Sequence, residues 1–379
     1  MKITIALGFF NPCPPLRGGG VERMWYQLAQ EFSELGHTVS IISRTWPGLP
    51  KREKLGNLQH IRVPGFNHRR RLITNLFLDV LWSFRILPSF PKADILITNS
   101  IFLPLLSSLF KFCGITVVNL NRYPKGQLRW YSRVGCIQTP STAIARVAME
   151  QAPALASRIC VIPNAANLSS LFSIARSKED GPLVIGFLGR VHPEKGIDLL
   201  IRAADELLKE SDLPLWKFAI TGPYRTYEGG GGVDYYQHLH TQAAHLKDHV
   251  EFLPPVFSYA EIVSRYAGMD IFCYPSIAEK GETFGIAVLE AMAAELPVVT
   301  SNLQCFTDLV DEGQNGYFFD YSHPDAPVKL AAALMLLLRD ADRRNTMGRA
   351  ARAKARSLDS RNIAIQHLDC FKKLLDSPL

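Results

Sequence analysis

Two glutamates eight positions apart, Glu282 and Glu290, bracket the stretch of this chain best suited to chemistry. Between them lie Thr283, Phe284 and Gly285, then the apolar run Ile286-Ala287-Val288-Leu289, which suits the opening of a helix. A helix that starts near Gly285 offers its first amides and the positive end of its dipole, so it attracts an anion. Glu282, just before the helix, can accept hydrogen bonds from a neutral polyol. Glu290, more than a turn inside, can accept from another. A phosphate between two hydroxyl-rich groups has the form of a nucleotide sugar.

A second constellation is Gly186-Phe187-Leu188-Gly189-Arg190-Val191-His192-Pro193-Glu194-Lys195-Gly196. Arg190 and Lys195 leave the carboxyl end of a strand before a helix, so both can converge on one anion. The plain alternative is surface charge beside a turn; the flanking glycines and the following helix favour the anion. A third is Arg17-Gly18-Gly19-Gly20-Val21-Glu22, between the first strand and the first helix. Its glycines let backbone approach a ligand closely, and its alternative is a tight turn. A dinucleotide fingerprint starting at Gly18 would need glycine where Arg23 stands, and the second strand ends in Ser43-Arg44 without a ribose-binding acid.

These motifs need a frame of strands and helices. Short β-rich apolar runs alternate with helical stretches, which predicts parallel sheets. In the first half the strand candidates are 2–7, 38–43, 59–63, 95–98, 116–119 and 158–162. In the second half they are 183–188, 217–221, 250–253, 271–274, 297–300 and 316–319. Long helices are expected over 21–35, 197–209, 285–294, 326–338 and 363–375. The break between halves falls around 163–182, where residues 169–180 are polar and lack strand alternation. Two doubly wound domains joined there face a cleft, with ligands at the carboxyl ends of the strands.

Composition narrows the class. The 379 residues are 47% hydrophobic, which is globular. Seven cysteines at 13, 113, 136, 160, 273, 305 and 370 are scattered and form no Cys-x-x-Cys, so they read as reduced, mostly buried thiols of a cytosolic protein. Residues 1–10 make a buried strand rather than a leader, because the apolar core is short and no small-residue cleavage site follows. Pro104, Lys111 and Gly114 break the apolar stretch 100–120 into a core helix and a strand. Residues 1–165 carry 20 lysines and arginines against 7 acidic residues, whereas residues 166–379 carry 22 against 28. The basic half includes Lys51, Arg52, Lys54 and the run His68-Arg69-Arg70-Arg71 ahead of apolar residues. That patch suits anionic lipid heads or is simply solvated surface. No nucleic-acid module appears. Asp340-Ala341-Asp342 has the look of a metal pair but lies between C-terminal helices, away from every strand end. His238, His245 and His249 can share a helix face, yet no cysteine or carboxylate completes a zinc set, so they read as surface histidines. No metal site is expected.

The E-x7-E spacing resembles that of retaining glycosyltransferases of the GT-B fold, most like glycosyltransferase family 4, and other segments agree in order over nearly the whole chain. The resemblance implies a fold of two Rossmann-like domains: residues 1–165 plus about 357–379 on the acceptor side, and 166–356 holding the donor. It implies that the C-terminal helix crosses back onto the first domain. Gly19, Gly20 and Glu22 match a Gly-Gly-x-Glu motif whose amides lie near the donor phosphates and sugar. Arg190 and Lys195 match the basic pair on the donor diphosphate. Glu282 is implied for the donor-sugar hydroxyls and Glu290 for the ribose, with the amides of Thr283, Phe284 and Gly285 on the sugar and phosphate. Gly222 and Val256 match loops of the nucleotide pocket, Val256 beside the base. Many relatives carry a histidine after the fifth strand of the first domain; here Asn119 or Asn121 takes the place, and an amide takes no proton at neutral pH. Arg122 and Lys125 then read as acceptor or phosphate contacts. Where Glu295 stands the family usually ends its helix with glycine, so a positive φ at this residue would be strained by about 1 kcal/mol.

The expected activity is retaining transfer of a hexose, glucose first, from a UDP-sugar to a polysaccharide precursor or lipid-linked saccharide, releasing UDP and needing no cofactor. Arg190, Lys195 and Glu282 would be catalytic. The expected location is cytoplasmic, at the inner face of the plasma membrane. The alternatives are a nucleotide-sugar epimerase of the same fold and a non-catalytic nucleotide-sugar-binding regulator.

Overall fold

The computed structural model describes residues 1–16, 19–69, 71–175, 181–246 and 248–376. Arg17, Gly18, Arg70 and residues 176–180 of the segments above lie outside the described residues. The chain divides into two compact units, Met1–Asn167 with Leu358–Leu379, and Leu168–Ser357.

The first unit runs β1 (Lys2–Ala6), α1 (Gly20–Glu34), β2 (Thr38–Arg44), β3 (Arg52–Leu55), β4 (Leu58–Val63), α2 (Leu72–Ile86), β5 (Ile95–Thr98), α3 (Leu103–Ser107), β6 (Ile115–Asn119), β7 (Cys136–Thr139), α4 (Thr142–Gln151) and β8 (Ile159–Val161). Its sheet has the order β3-β4-β2-β1-β5-β6-β7-β8, parallel except for the β3–β4 hairpin. β1 and β5 are buried almost throughout, as expected of parallel strands covered on both faces. Two strands escape sequence reading. β3, Arg52-Glu53-Lys54-Leu55, is a charged edge strand that needs no apolar face. β7 is fully buried, but Gln138 and Thr139 interrupt its apolar run.

The second unit runs α5 (Ser169–Phe172), β9 (Leu183–Leu188), α6 (Ile197–Leu207), β10 (Trp216–Thr221), α7 (Val233–Gln242), β11 (Val250–Leu253), α8 (Tyr259–Ala267), β12 (Ile271–Tyr274), α9 (Ile286–Ala293), β13 (Val298–Ser301), β14 (Gly316–Phe319), α10 (Ala326–Leu338) and α11 (Ala341–Ser357). Its sheet is wholly parallel, in the order β11-β10-β9-β12-β13-β14. The strong 3.6-residue pattern of α6 buries Ile197, Leu200, Ile201, Ala204 and Leu207. α11 hides from sequence reading because only Met347, Gly348, Ala351 and Ala355 turn inward. Glu295 does adopt a positive φ of 61°. Arg352 of α11 holds its carboxylate at 2.7 Å and also donates to the Ala293 carbonyl at 3.2 Å, which buttresses the non-glycine helix end.

The chain then returns to the first unit as α12 (Ser360–Asp376), which lies on α1. Trp25 and Phe32 on α1 meet the His367 ring at 5.3 and 6.2 Å, and Phe371 closes the cluster. Ser360 Oγ links Gln27 and Glu31, each at 3.1 Å. Burial lowers the pKa of His367 to about 4, and burial first, then Arg62, lowers that of His60 on β4 to about 4 as well. Both imidazoles resist protonation in the folded protein, so the unfolded chain takes the proton first. Stability is therefore intact above about pH 6.5 and falls as pH drops toward 4, by at most ~3 kcal/mol per histidine. Denaturant titrations at pH 7.5 and 4.5 are expected to show this loss, and His367→Phe should shrink it. An unchanged pH slope in that variant would assign the loss to other groups.

Candidate functional site

In the second unit the strand order reverses between β9 and β12. The chain winds from β9 to β10 and β11 on one side, then from β12 to β13 and β14 on the other. Loops leaving the carboxyl ends of β9 and β12 diverge there and leave room for a ligand. The β9 loop carries Arg190 and Lys195, β12 ends on Tyr274, and the loop after it carries Ser276 and Glu282. Gly222, after β10, has no room for a side chain: a Cβ would stand 1.6 Å from the Gly189 carbonyl.

Lys195 and Glu282 are both nearly buried, at 5% and 9% exposure, and they pair directly. Glu282 Oε1 also accepts from the Tyr274 hydroxyl and from Ser276 Oγ, each at 3.0 Å. Lys195 Nζ lies 5.6 Å from the centre of the Tyr274 ring. Burial, and then Glu282, raises the Tyr274 pKa well above its ordinary value, so this phenol stays a donor at neutral pH. Arg190 donates to the Gly229 carbonyl and to Glu194 Oε1, both at 2.6 Å. Lys195 Nζ stands 3.7 Å from that same Glu194 oxygen. The two cations thus reach one anionic oxygen, which here belongs to Glu194. Sequence reading assigned no role to Glu194 or Ser276; the Tyr274-Pro275-Ser276 run at a strand end was the available signal for the latter.

α9 starts immediately beyond, capped by Gly285 at φ 101°. A side chain at Gly285 would be strained by that φ and would meet the Phe306 ring at 2.8 Å. Phe284 is buried, and Thr283 is half-buried before the helix. Glu290 points to the Tyr266 hydroxyl at 3.0 Å, and that hydroxyl also reaches the Ala287 carbonyl at 3.1 Å. Val256 follows β11 in a half-buried loop.

In the first unit the equivalent reversal lies between β1 and β5. Gly19 caps α1 at φ 97°, and it is exposed together with Gly20. Glu22 is 5% exposed and folds back over Gly19, where a Cβ would meet its carboxylate oxygen at 2.3 Å. Asn119 ends β6 with its side chain turned inward: it accepts from Trp25 Nε1 at 3.1 Å and donates to Gln138. Of the two amides, Asn121 is the one toward the surface, and it donates to Asn119. Arg122 and Lys125 are exposed. The three surface histidines do not share a helix: His238 is on α7, His245 sits 2.6 Å from Asp205, and His249 bonds the Trp216 carbonyl. Asp340 accepts the Arg343 amide at 2.9 Å and so caps α11.

Comparison with known proteins places the family and the fold. The profile of the family described as "Glycosyl transferases group 1" matches residues 172–354, and that of "Glycosyltransferase Family 4" matches residues 18–170. The phosphatidyl-myo-inositol mannosyltransferase of Mycolicibacterium smegmatis is 29% identical over 89% of this chain and 85% of its own length. Sucrose-phosphate synthase from Thermosynechococcus elongatus superposes with a TM-score of 0.78 at 18% identity, covering 99% of both chains. Anabaena HepE in complex with UDP-glucose superposes with a TM-score of 0.70 at 19% identity, over 99% of this chain and 100% of that one.

Proposed function

The chain belongs to the glycosyltransferases of the group 1, family 4 type, with the GT-B fold, and moves a sugar from a nucleotide-sugar donor; we propose that the donor is a UDP-hexose, UDP-glucose first, and that transfer retains the anomeric configuration. The observation that carries this reading is the Lys195–Glu282 pair at the strand-order reversal, one residue stretch ahead of the Gly285 cap of α9. As the bond to the sugar breaks, the diphosphate gains negative charge and the anomeric carbon becomes cationic. Arg190, Lys195 and the amides at Phe284 and Gly285 stabilise that leaving group, each good donor contributing about 2–4 kcal/mol. Arg190 and Lys195 already converge on one anionic oxygen, Glu194 Oε1, as they would on an oxygen of the diphosphate.

Glu282 then holds the sugar hydroxyls and orients Lys195, and Glu290 takes the ribose. The acceptor oxygen attacks on the face from which the phosphate departs, and the phosphate takes its proton. In the first unit, Gly19, Gly20, Asn121, Arg122 and Lys125 serve substrate binding. No metal is required, because the cationic pair and the helix end supply the charge. A panel of nucleoside diphosphate sugars in a thermal-shift screen tests the donor. UDP-glucose should raise Tm most. A larger shift with GDP-mannose would replace it, and the relative named as a mannosyltransferase makes that the competing donor. Epimer formation without transfer would point to the epimerase instead.

We also propose that the acceptor is lipid-linked and met at an anionic membrane. No helix among the described residues is long and apolar enough to cross a membrane. α2, however, exposes Ile73 at 81%, Phe77 at 60% and Phe84 at 54%, on a helix preceded by Arg69 and Arg71. Apolar side chains beside basic ones favour the headgroup layer of anionic lipid. The protein should co-sediment with phosphatidylglycerol vesicles and not with phosphatidylcholine alone. The double variant Ile73→Glu/Phe77→Glu should lose at least tenfold in bound fraction, and unchanged binding would remove α2 from the membrane contact.

A further inference from the structure

Three sulfur atoms meet in the first unit. Cys136 comes from β7, Cys160 from β8 and Cys370 from α12. Their Sγ atoms all lie within 4.8 Å of one another. The Cys136–Cys160 separation is 2.7 Å and the Cys160–Cys370 separation 3.9 Å. Nothing in the sequence spacing announces the group, since Cys160 and Cys370 are 210 residues apart.

Buried thiols often pack as small apolar side chains. This trio differs in its surroundings. It forms one wall of a hollow of about 410 Å³ that Arg158, Asp369 and Lys373 also line. Cys160 and Cys370 are half-buried, so solvent reaches the group, while Cys136 lies beneath. Arg158 and Lys373 put positive charge on the same hollow. Sulfurs around one tetrahedral zinc, at about 2.3 Å each, stand about 3.8 Å apart. The Cys160–Cys370 separation of 3.9 Å already matches, and the Cys136–Cys160 pair, at 2.7 Å, has to open by about 1 Å.

We propose that Cys136, Cys160 and Cys370 bind one zinc-class ion as three thiolates, with the fourth position open to the hollow for water or Asp369. Three S–H bonds give up their protons to solvent and three sulfur–metal bonds form, with no change of oxidation state. The product carries one net negative charge, which Arg158 and Lys373 offset. Because the ligands come from two neighbouring strands and the last helix, the ion ties α12 to the edge of the sheet. It therefore stabilises the folded first unit by mass action.

The test uses the full-length protein, reduced and stripped with a chelator, then titrated with Zn2+ against a chromophoric competitor and with Cd2+ by ultraviolet absorbance. One equivalent of zinc per chain, a cadmium–thiolate band and a rise in Tm are expected. Cys370→Ser and Cys160→Ser should each weaken zinc at least tenfold, whereas Cys113→Ser, a buried thiol elsewhere, should not. If the cysteine variants fold poorly, wild-type protein decides. Zinc should protect Cys136, Cys160 and Cys370 together from alkylation, as mapped by mass spectrometry. Stoichiometry unaffected by Cys370→Ser, or alkylation indifferent to zinc, would overturn the site. So would a Cys136–Cys160 disulfide in freshly isolated protein that still takes no zinc after reduction.

Discussion

Replacing Lys195 with alanine is expected to cut sugar transfer at least a hundredfold and to weaken UDP binding severalfold or more. The ammonium is the buried cation of the site, in the loop that leaves the carboxyl end of β9, where the proposed mechanism has the diphosphate charge grow. Loss of one donor of this kind costs about 2.7–4 kcal/mol of transition-state stabilisation, or two to three decades in rate. The same change leaves the Glu282 carboxylate buried without its ammonium, held by the Tyr274 and Ser276 hydroxyls. Some loss of folding stability must follow, so turnover has to be read beside an unfolding curve. Lys195→Arg should rescue little, since a planar fork does not fit a pocket shaped for a single ammonium. A folded Lys195→Ala protein with wild-type turnover would remove the residue from the mechanism.

Glu282→Ala is the second large effect, again at least a hundredfold, by a different route. Here the buried ammonium loses its directly bonded carboxylate and is left with Glu194 Oε1 at 3.7 Å and the Tyr274 ring. Breaking one side of a buried pair costs about 3–5 kcal/mol in folding, while replacing both partners by apolar groups is often nearly neutral. The double variant Lys195→Met/Glu282→Leu should therefore fold better than Glu282→Ala alone and still fail to transfer sugar. That pattern separates chemistry from stability. UDP lacks the hexose, so Glu282→Gln should bind UDP within a fewfold of wild type while losing transfer. If Glu282→Gln instead loses UDP and sugar alike, the carboxylate acts only by holding Lys195.

Much of this site was legible in the residues themselves. The helix after Gly285 announced itself by a glycine followed by an apolar run, and the structure begins α9 at Ile286. The basic pair announced itself by glycines on both sides and a strand before it. Glu295 was legible as a strained helix end, because only backbone chirality was needed to see it. Other features were not. β7 and α11 carry too few apolar residues in period for any local pattern, and both are held by neighbours distant in sequence. Asn119 looked equivalent to Asn121 because both follow the same strand; only the inward turn at the end of β6 makes it a partner of Trp25 and Gln138.

The alternation of strands and helices, the predominantly parallel sheets and the loops that carry charge can all be read from the residues alone. Those follow from periodicity and turn chemistry within windows of a dozen residues or so. It takes the folded chain to show that Lys195 and Glu282, 87 residues apart, face one another, that Glu194 stands in reach of both cations, and that three scattered cysteines meet. Each of these depends on which strands become neighbours. That order is set by burying the whole sheet at once, which no local stretch of chain encodes.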